Sequence, residues 1–107
     1  MKVRFVQSGG LAWTAPLGCE CDSDAMGAHE ARRLRELVAA AGIVGSEERL
    51  SREARDVERY EITVSDGPAT HRLVCDTASV SPELAPLLEY LRGRARPETG
   101  AKRGGRA

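Results

Sequence analysis

The sequence predicts an α+β domain of order ββαββα: a four-stranded antiparallel sheet with two helices packed on one face. Three observations carry this prediction. Two stretches alternate at period 2 around the turn Ser65-Asp66-Gly67-Pro68, which marks a hairpin. Two others carry apolar residues at i, i+3, i+4 and i+7, the stripe of a helix that buries one side. The 107-residue chain, 41% apolar and 30% charged, is long enough to bury one core without metals or disulfides. With only Phe5, Trp13, Tyr60 and Tyr90 as aromatics, that core is expected to be aliphatic.

Residues 2–7 read as the first strand, with Val3 and Phe5 on one face and Lys2, Arg4 and Val6 on the other. Ser8-Gly9-Gly10 then predicts a turn or bulge, because glycine reaches positive φ without steric cost. A second strand is expected from Thr14 to Cys21. Leu17, Cys19 and Cys21 share one face, and Pro16 points to an edge position. The first helix covers residues 26–41, with Leu34, Leu37, Val38 and Ala41 as its stripe. Ser23 or Asp24 is the expected N-cap and Gly42 the C-terminal stop. Residues 43–55 are charged and weakly periodic, and read as a loop with a helical turn around Glu47–Leu50.

Residues 57–65 form the clearest strand: Tyr60, Ile62 and Val64 alternate with Arg59, Glu61 and Thr63. The chain returns over residues 70–76, where His71, Leu73 and Cys75 oppose Arg72, Val74 and Asp76. Ser81 and Pro82 suit the start of the last helix, whose stripe is Leu84, Leu87, Leu88 and Leu91. Gly93 and Pro97 mark its end. The domain is therefore expected to span residues 1–96, followed by a disordered basic tail, 97–107.

The net charge is zero but unevenly spread. Residues 1–91 carry a net −5 and residues 92–107 a net +5. The tail reads as a solvated end, so no nucleic-acid partner is assigned. No run approaches the ~20 apolar residues of a membrane span, and the first residues lack the apolar core of a signal peptide. A cytoplasmic monomer with no membrane partner is expected.

No nucleophile elbow, phosphate-binding loop or HExxH motif is present, so no catalytic residue is assigned and the chain is not expected to be an enzyme. Cys19, Cys21 and Cys75, with His71, supply thiols and an imidazole. Zinc sites usually pair C-x₂₋₄-C knuckles, which are absent here. The cysteines are therefore expected to be reduced, shielded and metal-free, with no cofactor, and a metal-binding redox role ranks last. Leu11 and Trp13 follow the double glycine. They are either tucked into the core or offered to a partner, tryptophan being enriched in binding hot spots.

Three segments together resemble a known family: Met1-Lys2-Val3-Arg4-Phe5 leading into Ser8-Gly9-Gly10-Leu11-Ala12; Asp56 followed by Tyr60-Glu61-Ile62-Thr63-Val64; and Val80 with Leu84 and Leu87-Leu88-Glu89-Tyr90-Leu91. In this order they resemble the emfourin family, small protein inhibitors of protealysin and other thermolysin-like zinc proteases. The resemblance implies that the partner is such a metalloprotease, which supplies the zinc. The family often has an aromatic after the double glycine and a third glycine soon after, where this chain has Leu11 and Trp13. We expect the loop Gly9-Gly10-Leu11-Ala12-Trp13 to be the protease-binding segment, with Leu11 or Trp13 as an apolar anchor. The alternative is a small regulatory module with a non-protease partner.

Overall fold

The computed structural model describes residues 1–9, 16–50 and 58–97. Its elements are β1 (Lys2–Gly9), β2 (Leu17–Asp22), α1 (Ala28–Ala41), β3 (Ser46–Arg49), β4 (Glu58–Asp66), β5 (Ala69–Asp76), α2 (Ala85–Arg94) and β6 (Arg96–Pro97), with single 3₁₀ turns at Ser23–Ala25 and Thr77–Ser79. The α+β class and the two helices agree with the sequence. The sheet does not. It is six-stranded and mixed, in the order β3-β5-β4-β1-β2-β6, rather than four-stranded and antiparallel, and the element order is ββαβββαβ rather than ββαββα.

The correction comes from two short edge strands. β3 runs parallel to β5, from Ser46 opposite Arg72 to Arg49 opposite Cys75. The sequence predicts a loop with a helical turn around Glu47–Leu50 here, because Ser-Glu-Glu-Arg has no apolar alternation, but these residues are extended. A strand at the sheet edge with mostly exposed side chains needs no such alternation, and charged residues there discourage pairing with another chain. β6 adds Arg96 and Pro97 antiparallel to Gly18 and Leu17.

The chain is thus two ββαβ halves. In each, a hairpin is followed by a helix that carries the chain across the sheet, and the fourth strand docks on the second strand of the other half. The halves meet along β1 and β4, paired from Lys2 opposite Ser65 to Gly9 opposite Glu58. The dockings differ in sense: β3 is parallel to its host and β6 antiparallel.

Val3, Phe5, Tyr60, Ile62, Val64, Leu73 and Cys75 point from the sheet into the core. They meet Leu34, Val38 and Ala41 of α1 and Leu87, Leu88 and Leu91 of α2. Phe5 and Tyr60 stack with ring centroids 6.1 Å apart, adding aromatic contact to a mainly aliphatic core. The other face of the sheet is mostly polar, with Val6 and the buried Val74 as exceptions. Arg72 donates to Glu61 at 2.8 Å there.

Both helices start later than their sequences suggest. Ser23 is not the α1 N-cap. It is buried, and its hydroxyl accepts from the N-terminal amine at 3.0 Å and from Arg35 at 3.3 Å. Asp22 instead caps the 3₁₀ turn, and α1 begins after Gly27. Gly42 ends α1 at φ 68, as expected. At α2, the Ser81 carbonyl accepts from the amides of Leu84 and Ala85, so a helical turn does begin there. Pro86 has no N–H to continue it by bonding the Pro82 carbonyl, and the regular helix is delayed to Ala85. Gly67 takes φ 60 in the tight β4–β5 turn. Among the described residues, no helix is long and apolar enough to cross a membrane.

Candidate functional site

The site expected from sequence is the loop joining β1 and β2. Of its five residues, Gly10, Leu11, Ala12 and Trp13 lie outside the described residues. Gly9 is the last residue of β1, with φ 88, a conformation that glycine takes without the strain a side chain would add. The β1–β2 ladder runs from Lys2 opposite Asp22 to Gln7 opposite Leu17, so the two stems of the loop are paired up to its base.

That base is held by a polar lock that the sequence reading missed. Val3, Phe5 and Gln7 share the inward face of β1, and Gln7 is only 7% exposed. A buried amide needs a partner. Gln7 Nε2 donates to Glu58 Oε2 at 2.8 Å, and the Tyr60 hydroxyl donates to Glu58 Oε1 at 3.3 Å. Both oxygens of Glu58 are therefore engaged. The Arg92 guanidinium lies 5.9 Å from the centre of the Tyr60 ring. Burial pushes the Tyr60 phenol above its usual 10.0; Arg92 opposes this and the Glu58 charge adds to it. The signal was present in the alternation itself: a polar residue at the third inward position of β1.

The second stem is tied down as well. The Cys19 thiol donates to the Leu91 carbonyl at 3.5 Å, linking β2 to α2, and β6 pairs beside Leu17 and Gly18. The same end of the sheet gathers the end of β5, where Asp76 lies opposite Arg59. Asp76 caps the following 3₁₀ turn by accepting from the Ala78 amide at 3.1 Å, and the Ser79 hydroxyl contacts the Arg49 carbonyl at the end of β3. The stems on either side of the loop are thus held in one frame.

The remaining sequence candidates lie elsewhere. Cys75 is fully buried, Cys21 5% exposed and Cys19 half-buried, and none of the three is in a disulfide. Burial pushes the thiols of Cys21 and Cys75 above their usual 9.0. His29 is exposed on α1. His71 accepts at Nδ1 from the Gly45 amide at 2.8 Å, which pins the segment entering β3. Among the described residues, no three His, Cys, Asp or Glu side chains come together as metal ligands.

The fold and this site define a small α+β protein that carries a hairpin loop on a locked stem. The chain belongs to the Emfourin family, whose model matches residues 5–92. Membership points to a protease-inhibitor role. No curated protein and no solved structure matches the chain.

Proposed function

We propose that the protein inhibits a thermolysin-like, protealysin-type zinc metalloprotease in the cytoplasm. As a monomer, it seats the loop Gly9-Gly10-Leu11-Ala12-Trp13 in the active-site cleft. The observation that carries this reading is the family match over residues 5–92, which spans both stems of the loop. The polar lock at Gln7 and Glu58 supports it, because a cleft-blocking segment needs a rigid root. Leu11 or Trp13 supplies a bulky apolar side chain for the pocket such proteases use just beyond the scissile bond, and the glycines let the backbone approach closely. The inhibitor needs no catalytic group of its own.

The test is competition. The full chain is mixed with a thermolysin-like protease, and complex formation is measured with and without a small hydroxamate bound at the catalytic zinc. The reading expects a stable complex that the hydroxamate displaces. A complex indifferent to the hydroxamate, or no complex at micromolar concentrations, contradicts it.

A further inference from the structure

Three sulfur atoms that the protease reading does not use line one surface cavity. The cavity, about 430 Å³, lies between β2, the end of α2 and the segment entering α1. Cys19, Cys21, Met26 and Arg94 are among its walls. Cys19 and Cys21 are two residues apart on one strand, so their side chains leave the same face. Met26 adds a thioether, the softest neutral donor a protein offers. Sequence spacing alone did not reveal this group, because Met26 lies on no common period with the cysteines.

We propose that Cys19 and Cys21, with Met26 beside them, form a binding site for a soft monovalent cation of the copper(I) type. The donor set argues for this class of ion and against harder ones. Zinc in a closed site wants four ligands in a tetrahedron. No third histidine, cysteine or carboxylate joins the pair among the described residues. Glu20 and Asp22 also border the cavity, but neither forms a third ligand with the pair among the described residues. Cys75 is excluded by the sheet order: β4 and β1 separate its strand from β2, a distance of about 14 Å at the usual strand spacing. Two thiolates, or two thiolates and a thioether, suffice for copper(I), and thiolate and thioether donors select it.

Binding replaces two S–H bonds with two S–Cu bonds and releases two protons. The metal arrives already as copper(I), so no electron is transferred. The product carries one net negative charge, and Arg94 stands beside it. That guanidinium is held in place by a 2.6 Å bond to Glu30 and by the Tyr90 ring, whose centre lies 4.4 Å away. Because two protons are released on binding, affinity rises with pH.

The full chain, reduced and free of oxygen, is titrated against the copper(I) complex of bicinchoninate, whose colour fades as metal is withdrawn. One equivalent should transfer to the protein. Cys19→Ala, at a half-buried position, should lower the affinity at least tenfold, with its fold checked by circular dichroism. Met26→Leu should lower it less, and Cys75→Ala should bind as the parent does. The proposal is overturned if the parent withdraws no copper, if Cys19→Ala withdraws as much as the parent, or if Cys75→Ala is the variant that loses the metal.

Discussion

Gln7 on β1 and Glu58 on β4, 51 residues apart in sequence, meet through a 2.8 Å hydrogen bond at the end of the sheet from which the β1–β2 loop departs. Glu58 also accepts from the Tyr60 hydroxyl, so one carboxylate satisfies two polar groups that the core would otherwise strand. Removing an acceptor from buried donors costs more than the bond itself is worth. Glu58→Ala is therefore expected to destabilise the fold by about 1–3 kcal/mol in chemical denaturation. It should also weaken protease inhibition by the fraction that remains folded, because the loop root loosens. Unchanged stability would mean that water replaces the carboxylate at no cost.

The core cysteine gives a second test. Cys75 is fully buried among the residues that join sheet to helices. Cys75→Ala removes one sulfur and leaves a small cavity, with an expected loss of about 1 kcal/mol. In a domain of this size that lowers the melting temperature by about 4–8 °C. Cys19→Ala should cost less, since Cys19 is only half-buried.

The parts of the fold that were legible in the sequence are those where one face is dry. Tyr60, Ile62 and Val64 alternate because β4 has a buried and a wet side, and Leu34, Val38 and Ala41 repeat because α1 covers the sheet. β3 left no such mark, since most of its side chains are exposed, and β6 is too short to show a period. The delayed start of α2 follows from Pro86, whose missing N–H matters only once the bond it would have made is identified. At the site, the positive φ of Gly9 could be read from the double glycine. The partner of Gln7 could not, because no spacing rule links residues 7 and 58; only the register between β1 and β4 does.

Stability should fall at alkaline pH. Burial raises the thiols of Cys21 and Cys75 above 9.0 and the phenols of Tyr60 and Tyr90 above 10.0. The folded chain thus keeps these protons to higher pH than the unfolded chain does. The associated stability is fully present below about pH 9 and is lost as pH rises through the folded-state values. Denaturation midpoints measured between pH 7 and pH 11 check this: a flat profile above pH 9 would show that these groups ionise without disturbing the core.

The tail tests where the folded unit ends. Pro97 is the last described residue and pairs with Leu17. A chain ending at Pro97 should melt within a few degrees of the full chain. One ending at Ala95 loses β6 and should melt lower. A large drop in the first variant would show that residues 98–107 dock on the body.

The loop residues can be separated from core residues by paired measurements. As protease contacts, Leu11→Ala or Trp13→Ala should weaken inhibition by roughly 1 kcal/mol or more while folding stability barely changes. As buried residues, they should each lower stability by about 2–5 kcal/mol and leave inhibition by the folded fraction normal. The second pattern removes the loop from the site and leaves the inhibitor reading standing.

The central claim is inhibition, and titration of activity tests it most directly. The peptidase activity of a thermolysin-like protease is followed as the full-length protein is added. The account predicts that activity falls to near zero and levels off at about one inhibitor per enzyme. Full activity at a large molar excess would contradict it.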